Sequence, residues 1–332
     1  MLNFTTHCCL RQGLFARCAL ILMSVFSILS VNANEAPKAL EWYSLDYQTI
    51  QGDFNGDGVE DLLLQPLRPE GLNLVSYGSL NSESKVEHLF ENTQSTPIEF
   101  SKQFWHSGHQ LFTTGDFNGD GFEDLLTLYR SDLNKKDRRH RKVEGYVFSG
   151  SENGLNLEQF DFKLKNNKKL PFLDFPEDYE YHAGDFNGDG KDDLFVQFTK
   201  HIQFPDDNID ISDASHYIVL SNKKGKIKKI KQSISLVEFP WLATQFNPII
   251  GDFNSDGRDD IFVQQFMQGS NHQLISSAQD GELLTMQPVT IADDLMDLSW
   301  NATDVKLFPY DVNEDNILDL MRIDTAESNS LN

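Results

Sequence analysis

A short acidic segment recurs five times along this chain, and the repetition constrains the fold more than any other feature of the sequence. The four clearest copies read GDFNGDGVEDLLLQ from Gly52, GDFNGDGFEDLLTL from Gly115, GDFNGDGKDDLFVQ from Gly184 and GDFNSDGRDDIFVQ from Gly251. A more divergent fifth copy, YDVNEDNILDLMRI, begins at Tyr310. By subtraction, the first aspartates of consecutive copies are 63, 69, 67 and 59 residues apart. A period near 65 residues suits a four-stranded unit with long connections, and it exceeds the period of most helical repeats.

Each copy offers oxygen ligands at alternate positions of a tight loop. With the first aspartate as position 1, Asp, Asn and Asp occupy positions 1, 3 and 5, and another Asp occupies position 9. Position 7 can contribute its backbone carbonyl. Hard oxygen donors without His or Cys favour calcium over zinc, and a bound cation would convert the mutual repulsion of the acids into attraction. A run of acidic surface turns is the alternative, and five copies at a steady period argue against it.

The predicted calcium ligands follow this pattern in all five loops, and the expected cofactor is up to five Ca²⁺ ions. They are Asp53, Asn55, Asp57, Val59 and Asp61; Asp116, Asn118, Asp120, Phe122 and Asp124; Asp185, Asn187, Asp189, Lys191 and Asp193; Asp252, Asn254, Asp256, Arg258 and Asp260; and Asp311, Asn313, Asp315, Ile317 and Asp319. The fifth loop has Asn316 where the others have glycine at position 6, and it lacks the preceding glycine. We therefore expect the fifth site to bind most weakly.

The residues around each loop predict strands rather than the helices of an EF-hand. Position 12, where an EF-hand needs a bidentate Glu, lies here in apolar runs such as LFVQF and IFVQQ. Position 2 is Phe in four loops and Val in the fifth, which predicts an anchor in a neighbouring core. A second strand-like element follows in each of the first four repeats, for example GYVFSGSENGLN from Gly145 and HYIVLSNKKGKI from His216. Four short antiparallel strands repeated in this way predict β-propeller blades, whereas a β-helix would have far shorter repeats.

The motif GDFNGDGxxD, followed by a strand and VFSGSENGL, resembles the FG-GAP/VCBS repeats of bacterial secreted proteins, which are related to the propeller of integrin α chains. The resemblance spans roughly residues 40–325 and implies calcium in the loop between two adjacent strands of a blade. The FG and GAP tripeptides themselves are not clearly present. The predicted fold is therefore an all-β, β-propeller-like array over residues 34–332. With about 65 residues per repeat, 299 residues make roughly 4.6 blades, so we expect the last blade to be incomplete.

The first 33 residues predict a cleaved signal peptide. Arg11 and Arg17 precede an apolar stretch, CALILMSVFSIL, and VNA ends at the small residue Ala33. The stretch is too short to span a bilayer. All three cysteines lie in this segment, so the mature chain has none, and its formal charge changes from −23 to −25 as two arginines are removed. So acidic a chain is repelled by nucleic acid and anionic membranes. We expect a secreted, periplasmic or cell-surface protein.

No catalytic motif is recognised, so a binding function is favoured over an enzyme. His106 and His109 lack a third metal ligand nearby. The sequence predicts a module that binds an extracellular protein or glycan; a module of a toxin-complex or Rhs-type assembly and a propeller lyase or hydrolase are the alternatives. Two basic runs, KKDRRHRK from Lys135 and KKGKIKKIK from Lys223, are candidate docking loops for an anionic partner. The tryptophans upstream of the acidic loops are expected to pack in the core.

Overall fold

The computed structural model describes the strands and acidic loops of all five repeats. The described residues are 47–66, 74–80, 86–93, 110–130, 143–157, 160–165, 170–174, 176–199, 215–222, 224–227, 229–236, 239, 246–266, 272–289, 300, 305–313, 315 and 317–324. The predicted signal peptide, the basic run from 135 to 142, His106, His109, Trp105 and Trp241 lie outside these residues. Predictions about them remain predictions.

The fold is all-β, as the repeat pattern predicts. The first sheet contains β1 (Tyr47–Gly52), β2 (Asp61–Pro66), β3 (Leu74–Leu80) and β4 (Val86–Thr93), and the second contains β5 (Gln110–Gly115), β6 (Asp124–Arg130), β7 (Val143–Phe148) and β8 (Phe162–Lys165). The third contains β9 (Tyr179–Gly184), β10 (Asp193–Phe198), β11 (Ser215–Leu220) and β12 (Lys229–Ser235), and the fourth β13 (Phe246–Gly251), β14 (Asp260–Gln265), β15 (Gln273–Ser277) and β16 (Leu283–Pro288). The fifth pairs β17 (Val305–Tyr310) with β18 (Asp319–Asp324). Two 3₁₀ turns, Pro171–Leu173 and Pro176–Asp178, are the helical elements among the described residues.

Each four-stranded sheet is an antiparallel meander in which sequential strands are neighbours, which is the organisation of a propeller blade. The prediction of four short antiparallel strands in each repeat is therefore confirmed in four sheets. The fifth sheet has two strands among the described residues, so the prediction of a short last blade is confirmed there. The chain divides into two compact units, one containing the first two sheets and the other the remaining three.

In the first and third blades, the second strand is buried on both faces, and this includes its polar residues Gln65 and Gln197. Every residue of β2 and of β10 is buried. In the first unit, Leu63 of β2 belongs to a buried cluster with Leu125, Phe148 and Val75. Full burial of such a side chain contributes about 1.5–3 kcal/mol, so the second strands contribute strongly to core stability.

The second unit has its own buried clusters, which join consecutive blades. Phe195 of the third blade packs with Ile261 of the fourth. Phe262 of the fourth packs with Val305 of the fifth and with Trp300, which is 5 % exposed. The expectation that a tryptophan upstream of the acidic loop packs in the core is confirmed for Trp300. Among the described residues, no helix has the length and apolar character required to cross a membrane.

Candidate metal centres in the acidic loops

Each acidic loop connects the first and second strands of its blade at a fixed register. The last residue of the first strand pairs with the position-9 aspartate, which is the first residue of the second strand: Gly52 with Asp61, Gly184 with Asp193, and Gly251 with Asp260. The position-2 phenylalanines are buried in four loops, with exposures of 0 % for Phe54, Phe117 and Phe186 and 3 % for Phe253. The predicted aromatic anchor is therefore confirmed, and it holds each loop against its sheet.

The position-1 carboxylate organises the loop by accepting backbone hydrogen bonds. In the first loop, Oδ1 of Asp53 accepts from the backbone N of Asp57 at 3.1 Å and Oδ2 accepts from Gly58 N at 2.8 Å. In the fourth loop, Asp252 accepts the equivalent bonds from Asp256 at 3.2 Å and Gly257 at 2.8 Å. The second and third loops repeat both bonds. These bonds draw the loop around its first carboxylate.

Glycine at position 6 makes this curvature possible. Gly58, Gly121, Gly190 and Gly257 have φ values of 79°, 87°, 77° and 79°, in the left-handed region that costs a residue with a Cβ about 1–2 kcal/mol. Position 4 has the same conformation and is glycine in the first three loops. In the fourth loop it is Ser255, with a φ of 59°.

Position 5 lies on the exposed rim of the loop and accepts a hydrogen bond from the backbone of position 7. The Oδ1 atom of Asp57 is 2.9 Å from Val59 N, and that of Asp120 is 3.1 Å from Phe122 N. The same bond recurs in the fourth and fifth loops. This bond holds the backbone of position 7 next to the position-5 carboxylate.

The position-9 aspartate is the buried member of the set. Asp61, Asp124, Asp193 and Asp260 are all 0 % exposed. One carboxylate oxygen of each accepts a backbone N–H from the end of the third strand or the residues after it: from Gly78 at 2.8 Å, Gly150 at 3.1 Å, Ser221 at 2.7 Å and Ser277 at 3.0 Å. The third strand therefore fixes the orientation of this carboxylate.

Burial makes these four carboxyls resist ionisation. The pKa of Asp61, Asp124, Asp193 and Asp260 is raised to about 7 in each case, mainly by desolvation and also by the negative charges at positions 1 and 5. The backbone N–H donors lower the pKa and partly oppose this effect. The ligand positions of each of these loops hold three carboxylates, one of them buried, and a bound cation would stabilise so negative a site.

The chemistry of the donor set fits calcium, because carboxylate, amide and backbone oxygens come from one short loop. The side-chain amides of Asn187 and Asn254 place Nδ2 2.7 Å from Oδ2 of Asp193 and Asp260, so position 3 lies beside position 9 in these loops. In the first loop, Oδ1 of Asn55 accepts from the backbone of position 5 at 3.0 Å. Among the described residues, no three His, Cys, Asp or Glu side chains form a ready-made metal cluster.

Position 8 also contributes to the site, in a way that the sequence reasoning missed. The backbone N of Asp259 donates to the carbonyl oxygen of Asp185 at 2.9 Å, and Oδ2 of Asp259 accepts from Asp185 N at 2.8 Å. The backbone bond recurs between Glu123 and Asp53 at 3.0 Å. Each of these two loops is therefore tied to the loop of the next blade in its unit through its first aspartate. The sequence does mark this position, because an acid occupies position 8 in each of the first four copies.

Two buried histidines were also missed. Nδ1 of His216 accepts from Phe198 N at 2.9 Å, and its Nε2 lies 3.0 Å from the carbonyl oxygen of Phe239. Nδ1 of His272 accepts from Gln265 N at 3.2 Å. Burial lowers the pKa of His216 to about 4, so the ring is neutral at pH 7. A His near the start of the third strand in HYIVL and HQLIS could have revealed the pair.

A comparison with known protein families agrees with the repeat assignment. Residues 185–263, from the third acidic loop to the second strand of the fourth blade, match the family model of the FG-GAP-like repeat. No curated protein matches the sequence. Among solved structures, one similar chain is described as an Agrocybe aegerita lectin that specifically recognises non-reducing terminal N-acetylglucosamine. It has 16 % identity and a TM-score of 0.49, and the match covers 87 % of this chain and 77 % of the other.

Proposed function

We propose that this chain, which carries FG-GAP-like repeats on propeller-type blades, is a calcium-stabilised binding module that works outside the cytoplasm. The observation that carries the calcium assignment is the fourfold repetition of a fully buried aspartate in a loop with two further carboxylates at its ligand positions. An accidental acidic turn would not bury the same carboxylate in four blades with the same backbone donors.

The oxygens at positions 1, 3, 5, 7 and 9 of each loop would hold the ion. Calcium, when bound, supplies the positive charge that offsets repulsion among these carboxylates. The chain's own contribution is to pre-form the loop: the position-1 aspartate gathers backbone N–H groups, and the third strand orients the position-9 aspartate. The metal therefore stabilises the junction between the first and second strands of each blade.

The binding role is supported by the contrast between near-identical acidic loops and dissimilar links elsewhere in the repeats. The segment after Tyr129 is basic, whereas the segment after Phe198 is rich in aspartate. Divergence of this kind is where a repeat protein places specificity. The partner class we propose is an extracellular protein or glycan, and the N-terminal segment supports secretion, a periplasmic location or display at the cell surface.

Calcium titration followed by isothermal calorimetry and thermal melting tests the proposal. A metal that binds the folded state alone adds about 2.7 kcal/mol per independent site at 100 times its Kd, so we expect a higher melting temperature in calcium than in EGTA. Magnesium at the same concentration serves as the ionic control. Asp193→Asn should reduce the bound calcium.

Asp324→Asn is the matched variant, because it removes an exposed carboxylate that pairs with Arg322 at the end of β18 opposite to the acidic loop. It should leave calcium binding unchanged. Identical melting temperatures in calcium and in chelator would overturn the metal assignment. A glycan array and pull-down with calcium present would then identify the partner class.

A further inference from the structure

The acidic loops differ at position 7, although their side-chain ligands are the same. Position 7 is apolar in the first, second and fifth loops and basic in the third and fourth, where it is Lys191 and Arg258. In the fourth loop, Oδ1 of Asp256 accepts a hydrogen bond from the backbone N of Arg258 at 3.1 Å, so the basic side chain starts next to a loop carboxylate.

In the fourth loop, the basic side chain is bound to that carboxylate. Nη2 of Arg258 lies 2.5 Å from Oδ2 of Asp256. Its Nε donates to the carbonyl oxygen of Ser277 at 3.1 Å, so the guanidinium is held by both the loop and the third strand. The Arg258 side chain is 21 % exposed and that of Asp256 is 31 % exposed. The pair is thus partly shielded from solvent.

The third loop has a looser version of the same contact. Nζ of Lys191 is 3.1 Å from the carbonyl oxygen of Asp189 and 3.5 Å from its Oδ1. The Asp189 side chain is 44 % exposed, more than that of Asp256. An ammonium group is a mobile point charge, whereas the planar guanidinium of Arg258 is fixed by two hydrogen-bond acceptors.

The first and fifth loops contain no such cation at position 7. Val59 is 8 % exposed, and the nearby Asp57 carboxylate accepts a 3.3 Å hydrogen bond from the Asn55 amide. Ile317 in the fifth loop is 36 % exposed. Neither side chain can neutralise the position-5 carboxylate.

We propose that Arg258 is a tethered cation that competes with calcium for Asp256. The acidic loops therefore differ in how much their structure depends on calcium, according to the side chain at position 7. The inference rests on the proposed calcium function and deepens it. The fourth loop keeps its frame at low calcium because the guanidinium offsets part of its negative charge, and it binds calcium weakly because that contact must be displaced or shared. The third loop is intermediate, and the first depends most on the metal.

Hydrogen exchange followed by mass spectrometry can test this ranking in the intact chain, because each loop yields its own peptides along a calcium titration. In the wild type, the first loop should become protected at a lower calcium concentration than the fourth. Arg258→Val should move the fourth-loop midpoint to about fivefold lower calcium, which corresponds to about 1 kcal/mol, the upper range for a partly exposed ion pair. In EGTA, the same variant should exchange faster in the fourth loop.

Two further variants control for effects on folding. Arg258→Lys keeps a cation and should shift the midpoint less than Arg258→Val. Ile317→Arg adds a cation at an exposed position of the fifth loop and should raise the calcium midpoint there while leaving the first loop unchanged.

The outcomes separate this inference from the proposed function. If no loop of the wild type responds to calcium, both the function and the ranking are wrong. If the loops respond but Arg258→Val has the wild-type midpoint, calcium binding stands and the tethered-cation inference is overturned. A shift of that midpoint to higher calcium would overturn it equally.

Discussion

The fourth and fifth acidic loops carry the same residue types at their four side-chain ligand positions, but the sheets around them differ. In the fourth blade, β15 lies beside β14, and Ser277 donates its N–H to Asp260 at 3.0 Å. In the fifth, β18 pairs with β17 alone among the described residues. Asp260 is fully buried, whereas the equivalent Asp319 is partly exposed. The third strand, rather than the loop, therefore buries the position-9 carboxylate.

The third strand also acts at the opposite end of the second strand. In the third and fourth blades, His216 and His272 accept the N–H of Phe198 and Gln265, the residues at which the second strands end. A four-stranded blade thus holds its second strand at both ends through the third. The acidic motif thus sets the loop conformation, whereas the strands of the blade determine how strongly the loop is desolvated.

The first prediction has the largest expected effect and concerns the pH dependence of stability that His216 causes. This residue lies at the end of its blade remote from the acidic loop. Its folded pKa of about 4 lies below the ordinary value of 6.5. The neutral ring therefore contributes stability that is fully present above pH 6.5 and is lost as the pH falls toward 4. In saturating calcium, we expect His216 to contribute a loss on the order of 3 kcal/mol between pH 7 and pH 4, measured by urea unfolding as the difference between the wild type and a variant without this ring.

His216→Gln is the control for this prediction, because it removes the titrating group. The variant should be less stable at pH 7 but should lose less stability on acidification than the wild type. The ring resonances of His216 in an NMR titration should stay in the neutral form to about pH 4. A ring that titrates near pH 6.5 would contradict the assignment.

The second prediction tests whether the third strand causes the difference between the fourth and fifth loops. Asp260→Ala leaves the buried N–H of Ser277 without its acceptor and removes the shorter of two hydrogen bonds made by the Asn254 amide. An unsatisfied buried donor costs about 1–3 kcal/mol. We expect a loss of about 2 kcal/mol for Asp260→Ala in saturating calcium. Asp319→Ala should cost less than about 1 kcal/mol because its site is partly hydrated. Equal losses in chemical unfolding would show that the third strand does not set the difference.

The blade organisation was predictable because a repeated loop between apolar runs fixes both the period and the strand order. The position-2 anchors, such as Phe253, were also predictable, since a large apolar residue inside a polar loop has to be buried. The donors from the third strand were not, because the glycines and serines that supply them share only small size and become visible once strands pair. Arg258 was predicted as a backbone ligand, and its ion pair depends on the side-chain direction set by the folded loop.

The smallest expected effect tests backbone strain within the fourth loop. Ser255 has a φ of 59°, whereas the equivalent Gly188 in the third loop has a φ of 71° without a Cβ. Ser255→Gly removes the strain but loses the hydroxyl, so Ser255→Ala is the matched variant, which loses the hydroxyl and keeps the Cβ. We expect the glycine variant to be more stable than the alanine variant by about 1 kcal/mol, because alanine is unfavourable at positive φ. Thermal melting of the two variants in the same buffer measures the difference. An alanine variant as stable as the glycine variant would mean that the loop relaxes around the Cβ, and the fourth loop would then differ from the third through its tethered arginine rather than through its backbone.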